Sequence, residues 1–260
     1  MRIGAAVVGS VVGSDFSRIL LLFTALTFSS AACSRSEFFR QYEYEEDVYL
    51  GLDGSATVYV NSSVAALDAL RGSQFDISPN AVINRDDVRA WFTTAVTRVT
   101  SRPTLSRRSG RRFVHVRLDV DDIRRLSQAA PFAWSSYAFT QEGDSLGYRQ
   151  VVGAAAGKSV GEVGWNNREL VAFRLHLPSN VLDTNATAEN RKRGNILVWE
   201  QSLADRLRGE PLILEAQIES HSILSRTLIL FGTTFLAVAV TFGLLLWWVL
   251  RRPGLQSPPS

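Results

Sequence analysis

Sulfur and imidazole side chains are scarce in this sequence of 260 residues, which contains one cysteine, Cys33, and three histidines. Because the chain after Cys33 has no thiol, intrachain disulfides and thiolate metal sites are excluded from its body. The histidines, at positions 115, 176 and 221, lack the i, i+4 spacing of a zinc-binding helix. We therefore predict neither a metal site nor a bound cofactor.

Nucleotide-binding signatures are also weak. The stretch GAAAGKSVG resembles a phosphate-binding loop, but only three residues separate Gly153 from Gly157, where that loop requires four. Val152 also stands where the first glycine of the loop belongs. We interpret this stretch as a flexible connection between two ordered elements.

Carboxylates and histidines are the remaining candidates for catalysis. Asp121 and Asp122 directly precede a predicted short helix, where helix capping explains them, and Asp119 fits a solvated strand face. An alternative is that a hydrolase or transferase site assembles from scattered residues such as His115, Asp119 and His176. In the absence of a local catalytic signature, we expect a protein that is not an enzyme and has no catalytic residues, with the scattered site as the alternative.

Positive charge is concentrated outside the body of the chain. The formal net charge is +3, yet residues 34–222 hold 23 Lys and Arg against 24 Asp and Glu, a net charge of −1. The excess comes from arginines that flank two apolar segments, namely Arg2, Arg18, Arg226, Arg251 and Arg252. The net positive charge therefore reflects the arginines that flank membrane segments. It does not indicate nucleic-acid binding, and no nucleic-acid partner is predicted.

The second apolar segment, Thr227 to Leu250, has 24 residues without a charge. At the rise of an α-helix it is about 36 Å long, which is enough to cross the hydrocarbon core of a bilayer. Two tryptophans lie at its C-terminal end, and Arg251 and Arg252 follow directly. By the positive-inside rule that end is cytoplasmic, so residues 251–260 are predicted to form a short cytoplasmic tail.

The first apolar segment has the features of a secretory signal peptide, with predicted bounds at residues 1–32. Arg18 precedes the apolar run ILLLFTALTF, and the small residues SSAA follow that run. Cys33 comes next, in a position that resembles the lipobox of bacterial lipoproteins, although Ser30 stands where that family prefers leucine. We predict lipid attachment at Cys33; the alternative is ordinary cleavage before an unmodified thiol.

The body of the chain, residues 33–222, shows strand patterns interrupted by short helix signals. Alternating residues predict a hairpin over Tyr42 to Leu50 and Ala56 to Asn61, joined by the turn residues Asp53 and Gly54. Helices are predicted after Ser62 or Ser63, from near Asn84, and over IRRLSQAA. Later strands are predicted at AWSSYAF, LGYRQVV, ELVAFRLHLP, NILVWEQ and LILEAQIE.

These patterns predict an α+β fold, with one antiparallel curved sheet, a few helices on one face of it, and one C-terminal transmembrane helix. The polar stretch LDTNATAENRKRG is predicted to be a loop between two of the late strands. No repeat or low-complexity segment interrupts the domain.

Four arginines surround one glycine in the stretch LSRRSGRRF. The preceding RVTSRPTL is extended, and the following FVHVRLDV alternates with period two, so the arginines are predicted at the tip of a hairpin. On the outer side of a membrane, the candidate ligands of Arg107, Arg108, Arg111 and Arg112 are an anionic surface and an acidic partner. The alternative is that these arginines keep an exposed tip soluble and protect the edge of the sheet.

The order of these features resembles the LppM-type lipoproteins of bacteria. The resemblance rests on the signal that ends at Cys33, the C-terminal apolar segment, and the strand patterns YEYEEDVYLGLDGSATVYV, FRLHLPSNVLDTNA and RGNILVWEQS. It covers most of residues 33–252. It implies an envelope protein with an exposed α+β domain, for which binding of lipids or glycolipids is the usual suggestion, and it implies no catalytic residues.

Together these observations predict a single-pass protein of the cell membrane whose main domain is extracytoplasmic and binds a lipid, a glycolipid or another envelope protein. The expected partners are membrane lipids, reached through Thr227 to Leu250 and through an acyl chain on Cys33, and an envelope protein. The alternative is an envelope hydrolase or transferase whose active site has no sequence motif.

Overall fold

The computed structural model describes residues 40–78, 80–187, 191–192 and 195–251, with the main chain alone at 191–192 and 223–226. The predicted signal peptide, Cys33 and residues 252–260 lie outside the described residues. The described chain contains a domain of strands and short helices, followed by one long apolar helix. This arrangement confirms the α+β class that the sequence predicts.

The described residues contain the following elements. The strands are β1 (Gln41–Leu50), β2 (Ala56–Ser63), β3 (Thr97–Val99), β4 (Thr104–Arg108), β5 (Arg111–Val120), β6 (Ser135–Glu142), β7 (Ser145–Val152), β8 (Glu169–His176), β9 (Val181–Thr184), β10 (Arg191–Lys192), β11 (Ile196–Ser202) and β12 (Leu212–Glu219). The helices are α1 (Val64–Arg71), α2 (Arg85–Phe92), α3 (Leu203–Leu207) and α4 (Ile223–Arg251), and two 3₁₀ helices cover Ile123–Gln128 and Ala130–Phe132.

The described strands form two sheets, where the sequence predicts one. The larger sheet has the order β10-β11-β8-β1-β2-β5-β3, with β4 also paired to β5, and the smaller sheet has the order β6-β7-β12-β9. Neighbouring strands are antiparallel, except that β1 and β8 run parallel at the centre of the larger sheet. A parallel pair requires a long crossover connection, and local strand patterns do not indicate which distant strands such a crossover joins.

The first predicted hairpin is confirmed by β1 and β2. Asp53 accepts hydrogen bonds from the main-chain N–H and the hydroxyl of Ser55, which closes the connection between the strands. Gly54 has a φ of 85°, a conformation that residues with a Cβ atom rarely adopt. Beyond this turn, Tyr49 pairs with Thr57 and the antiparallel register continues along both strands.

Alternation along the strands gives the larger sheet an inward and an outward face. On β1, Tyr44 and Val48 point inward and are buried, whereas Glu45, Asp47 and Tyr49 lie on the outward face and are partly exposed. Buried side chains from the inward face, from α1, from the 3₁₀ helices and from the smaller sheet belong to one continuous core. The outward face therefore offers side chains to solvent and to ligands.

The helices α1 and α2 and the first 3₁₀ helix begin where the sequence predicts capping residues. Ser63 accepts a hydrogen bond from the main-chain N–H of Ala66 at the start of α1, and Gly72 ends that helix with a φ of 71°. Asn84 caps α2 through the N–H two residues later. Asp122 caps the first 3₁₀ helix, at the position of the predicted short helix.

The elements β9, α3 and β10 depart from the sequence prediction, and β10 lies in the same predicted loop as β9. The stretch LDTNATAENRKRG is predicted to be a loop, yet its first residues belong to β9 (Val181–Thr184). They form a strand because their main chain pairs with β12, where Thr184 lies opposite Ala216. The short helix α3, capped by Ser202, also follows β11 without having been predicted. Pairing with a distant strand outweighs local polarity in the first case.

The helix α4 leaves the domain close to the end of β8. Three residues, 220–222, separate it from β12. In this connection Ser179, which lies just beyond β8, donates a hydrogen bond to the carbonyl of His221. The candidate span Thr227–Arg251 has a mean hydropathy of 2.3, and none of it is buried by the domain. It is long and apolar enough to cross a membrane.

The hairpin of β4 and β5 lies at the other end of the larger sheet. Strand β5 is antiparallel to β2, which is antiparallel to β1, and β1 is parallel to β8, so β5 and β8 run in the same direction. The start of β5 is therefore separated from the end of β8, where α4 begins, by the length of a strand. That length is about 30 Å at the usual rise per residue.

Candidate functional site

The arginine-rich stretch forms a tight hairpin, as the sequence predicts. Ser109 and Gly110 connect β4 to β5 with φ values of 50° and 77°, and two successive positive angles are typical of a type I′ turn. Across the hairpin the arginines face one another in two couples, Arg107 with Arg112 and Arg108 with Arg111. Like charges in opposed positions destabilise a sheet, so these guanidinium groups need partners elsewhere.

Arg111 has its partner inside the domain. Its Nε lies 3.0 Å from Oε1 of Glu43, and its Nη1 donates a hydrogen bond of 2.8 Å to the carbonyl of Gly164. The Glu43 side chain is fully buried, and only 10% of the Arg111 side chain is exposed. The indole N–H of Trp165 donates to the other carboxylate oxygen of Glu43. The charge of Arg111 therefore neutralises a buried carboxylate.

Two further arginines of the hairpin also contact the domain. Arg108 donates a hydrogen bond of 2.6 Å to the carbonyl of Tyr42, and its guanidinium lies 4.3 Å from the centre of the Phe113 ring. Arg112 donates to three main-chain carbonyls, at positions 76, 78 and 81, and so fixes the segment before α2. These contacts give the hairpin a structural role, and contact of the four arginines with an anionic surface stays a prediction.

A row of three polar side chains crosses β4, β5 and β2 on the outward face of the larger sheet. Nε2 of His115 lies 2.8 Å from Oγ of Ser106, and Nδ1 of His115 lies 2.9 Å from Oδ1 of Asn61. Because an amide oxygen only accepts hydrogen bonds, Nδ1 carries the proton and Nε2 accepts from the Ser106 hydroxyl. An exposed serine is thereby bound to an imidazole of fixed tautomer.

The surroundings keep this imidazole neutral. Burial lowers the pKa of His115, the nearby guanidinium of Arg108 lowers it further, and the carboxylate of Glu45 acts in the opposite direction. Since an unperturbed histidine titrates near pH 6.5, His115 is in its neutral form at pH 7. Its Nε2 lone pair is then available to accept a proton.

A cleft of about 750 Å³ lies at the opposite end of the sheet, next to the end of β8. Among its lining residues, His176 stacks on Tyr49 with ring centres 3.9 Å apart, and Asp119 accepts a hydrogen bond of 3.2 Å from the hydroxyl of Thr57. The structure thus places Asp119 and His176 in one cleft, each engaged by its own neighbour. His115, the third residue considered for a scattered enzyme site, lies on a different part of the sheet.

A buried polar cluster joins the two sheets and α1. The carboxylate of Glu46, on the inward face of β1, lies 2.5 Å from Nη2 of Arg71 and accepts hydrogen bonds from Tyr44 and Gln150. The guanidinium of Arg71 also lies 4.3 Å from the centre of the Trp134 ring. Burial raises the pKa of Glu46 to about 7, and the hydrogen bond from Gln150 opposes this effect.

Sequence reasoning missed both this cluster and the serine–histidine row. A signal for the cluster exists, because strict alternation in YEYEEDVYL puts Glu46 on the same face as Tyr44 and Val48. A glutamate on an apolar face needs a buried partner. For the row no local signal exists, since Ser106 and Asn61 reach His115 only through the register of three strands.

The glycine-rich stretch Gly153–Gly161 forms an irregular connection between β7 and β8. Its residues GKSVG also match the pattern Gly-x-Ser-x-Gly of nucleophile elbows, with Ser159 at the serine position. That elbow requires a helix directly after the serine, and here the chain continues irregularly into β8. Lys158 instead donates hydrogen bonds to the carbonyls of Gly72 and Ser73 at the end of α1. Within the described part of the chain, no group of three or more His, Cys, Asp or Glu side chains is placed to hold a metal ion.

The sequence matches no protein-family model and no curated protein. Among solved structures, the folded domain of the LppM protein from Mycobacterium tuberculosis, determined by NMR, is similar to this chain. The similarity covers 70% of this chain and 92% of that domain, with a TM-score of 0.38 and a sequence identity of 11%. The comparison does not extend to a signal peptide or to a lipid on Cys33.

Proposed function

We propose that this protein is a binding domain of the bacterial envelope, held at the outer side of the cell membrane by α4. The observation that supports this role is the exposure of α4, whose apolar side chains are not covered by the domain to which three residues connect it. Exposed apolar area is unfavourable in water by about 25 cal/mol per Å², and a bilayer removes this cost. Arg251 at the C-terminal end of α4 supports a cytoplasmic C-terminus.

The cleft beside Tyr49 is the surface that we assign to binding a lipid headgroup, a glycolipid or another envelope protein. Its volume of about 750 Å³ lies within the usual range of ligand sites. It lies next to the end of β8, so a ligand in the headgroup layer around α4 is within reach. Its lining combines an aromatic ring with the charged side chains of Arg98 and Asp119, which suits a ligand that has both apolar and polar parts.

A lipid on Cys33 would give the chain a second attachment to the membrane. One acyl chain alone binds a membrane only marginally, so α4 supplies most of the anchoring in this proposal. The measurement is the intact mass of the protein extracted from membranes. A mass that exceeds the cleaved polypeptide by diacylglycerol and acyl groups supports the lipid, and the unmodified mass rejects it.

Photo-crosslinking in native membranes tests the binding role. Benzoylphenylalanine replaces Tyr49 in the cleft of the full-length protein, and in a control variant it replaces Ile213, an exposed residue of the smaller sheet. We expect a defined lipid or protein adduct from the position of Tyr49 that the position of Ile213 does not give. Equal, unspecific adducts from both positions, or none from the cleft, would reject the cleft as the binding surface.

We propose that the cleft itself is not an active site, because the binding role requires no chemistry there. The alternative of an envelope hydrolase is favoured by one specific observation on another part of the sheet. That observation is the hydrogen-bonded row of Ser106, His115 and Asn61.

A further inference from the structure

We propose that Ser106, His115 and Asn61 form an acyl-transfer centre in which Ser106 is the nucleophile and His115 is its general base. This activity goes beyond the proposed binding function and uses a different part of the molecule. The Oγ–Nε2 distance of 2.8 Å and the Nδ1–Oδ1 distance of 2.9 Å both lie in the range that a nucleophile, a base and an orienting group require.

The roles follow from which imidazole nitrogen meets which partner. Nδ1–H donates to Asn61, which fixes the tautomer and the orientation of the ring, and Nε2 is left to take the proton of Ser106. This is the connectivity of a Ser-His-Asp triad, with a neutral amide in the position of the carboxylate, as in the Cys-His-Asn arrangement of some proteases. Asn61 therefore orients the base but adds no negative charge to stabilise the imidazolium.

The protonation state of His115 agrees with the role of a base. Its environment lowers its pKa, through burial first and the charge of Arg108 second, so the ring enters the reaction neutral at pH 7. Its electrostatic partners are Arg108 on β4, which disfavours the imidazolium, and Glu45 on β1, which favours it. General-base catalysis requires such an unprotonated group within hydrogen-bond distance of the nucleophile.

The reaction balances without any further reagent. With a carboxylic ester as substrate, Oγ of Ser106 forms a bond to the carbonyl carbon while its proton moves to Nε2 of His115. When the tetrahedral intermediate collapses, the bond to the leaving oxygen breaks and the proton moves from Nε2 to the departing alcohol. Water then attacks the carbonyl carbon of acyl-Ser106 while Nε2 takes its proton; the bond between that carbon and Oγ breaks, the proton returns from Nε2 to Oγ, and the carboxylic acid leaves.

The charge around the serine favours the oxyanion of this reaction. Arg108 lies two residues after Ser106 on β4, and the period of a strand puts both side chains on the same face. Its positive charge acts on His115, so it also acts on a carbonyl oxygen that develops negative charge beside Ser106. Ser106 is exposed on an open strand at the end of the sheet remote from α4, so we infer a substrate that carries its ester on a polymer.

A polar row on a solvated sheet can have the same hydrogen bonds without reactivity, and reactivity toward a serine-directed reagent distinguishes the two cases. The full-length protein in detergent micelles is treated with a fluorophosphonate–rhodamine probe, in which the serine oxygen replaces fluoride at phosphorus. We expect one label per chain, located on Ser106 by mass spectrometry of peptides. Ser106→Ala should remove the label, and Ser159→Ala, which removes the serine of GKSVG, should leave it unchanged.

Two more variants test the base and its orienting group. His115→Gln should lower the labelling rate at least about a hundredfold, the range of general-base catalysis. Asn61→Asp should raise the rate about tenfold, because a carboxylate stabilises the imidazolium as in the Ser-His-Asp triad. Thermal unfolding of each variant, compared with the unsubstituted protein, establishes that the fold is retained.

Three results would overturn this centre: no label on the unsubstituted protein, a label that persists in Ser106→Ala, and a folded Asn61→Asp variant whose rate does not rise. None of them bears on the binding role, since the crosslinking experiment reports on the cleft around Tyr49. Loss of the label together with a specific adduct at the cleft would leave a binding protein without this activity.

Discussion

The carboxylate of Glu46 is bound to the guanidinium of Arg71 in the core, where the larger sheet, the smaller sheet and α1 meet. Both side chains are buried, and the hydrogen bonds from Tyr44 and Gln150 complete the surroundings of the carboxylate. A buried ion pair contributes little net stability, because desolvation offsets the attraction between the charges. Loss of one partner, in contrast, leaves a buried charge without compensation.

Arg71→Met should therefore destabilise the domain by about 3–5 kcal/mol at pH 8, where Glu46 is ionised. The double variant Arg71→Met with Glu46→Gln should recover most of this loss, since neither charge then remains in the core. The measurement is unfolding of the full-length protein, followed by tryptophan fluorescence. If the two substitutions prove additive, the pair does not act as a unit, and the explanation fails.

The pKa of Glu46 predicts a specific dependence of stability on pH. Burial raises that pKa from 4.5 to about 7. Between these values the unfolded chain releases the proton and the folded domain keeps it, so the free energy of unfolding falls as the pH rises, by about 3 kcal/mol in total. Above pH 7 this contribution is constant.

The difference in unfolding midpoint between the unsubstituted protein and the Glu46→Gln variant isolates this contribution from that of other titrating groups. Unfolding midpoints of both proteins from pH 4.5 to pH 8 give the comparison. The midpoint of the unsubstituted protein should fall relative to the variant up to about pH 7. A difference that stays constant over this range would contradict the raised pKa.

Arg111 of the β4–β5 hairpin should contribute more to stability than an exposed arginine elsewhere on the larger sheet. Arg111→Gln leaves the buried carboxylate of Glu43 without its counter-charge, and we expect a loss of about 3 kcal/mol. As a control, Arg98→Gln removes an arginine that is 69% exposed and 3.9 Å from Asp119. That substitution should change the free energy of unfolding by less than about 1 kcal/mol. Equal effects would show that Arg111 is not a structural residue.

The hairpin also shows how far the sequence predicts this structure. Period-two alternation in FVHVRLDV and the residues Ser109 and Gly110 predict the strands and the turn correctly, because both signals are local. The partner of Arg111 is not predictable in this way. Glu43 precedes Arg111 by more than sixty residues, and the two side chains meet only after β1, β2 and β5 have paired.

The same limit applies to the sheets and to the candidate site. Strands β6, β7, β8, β11 and β12 are predicted from their own residues, whereas β9, the parallel pairing of β1 with β8 and the separation into two sheets depend on contacts between distant segments. The sequence suggests His115 as a catalytic group only in combination with Asp119 and His176. The strand register instead brings Ser106 and Asn61 to it, and single-sequence periodicity does not determine register between strands.

Charges within α4 should prevent its insertion into a membrane. Leu236→Arg with Val240→Arg puts two guanidinium groups on one face near the middle of the candidate span, at a cost of about 6 kcal/mol. We expect the variant to be extracted from membranes by alkaline carbonate, whereas the unsubstituted protein resists. Arginines at Leu182 and Ile213, two exposed positions in the domain, provide the control and should not change the extraction. Resistance of the α4 variant would mean that another segment anchors the chain.

Contact of the hairpin with an anionic surface depends on its distance from the anchor. The hairpin lies about 30 Å along the strands from the start of α4. If α4 spans a membrane and the strands of the larger sheet are perpendicular to the membrane plane, the four arginines face away from that membrane. An anionic surface that they contact is then a second one, which can be tested with two populations of vesicles.

We expect Arg107 and Arg108 to carry most of this contact, because Arg111 is held by a buried carboxylate and Arg112 by three main-chain carbonyls. In the test, full-length protein in neutral phosphatidylcholine vesicles recruits separate vesicles that contain phosphatidylglycerol. Loss of two charges near an anionic surface, in Arg107→Gln with Arg108→Gln, should weaken recruitment about thirtyfold, and high salt should have a similar effect. Arg149→Gln with Arg208→Gln removes the same net charge elsewhere on the surface. If this control weakens recruitment equally, the total charge of the domain attracts the vesicles and the hairpin is not a specific contact.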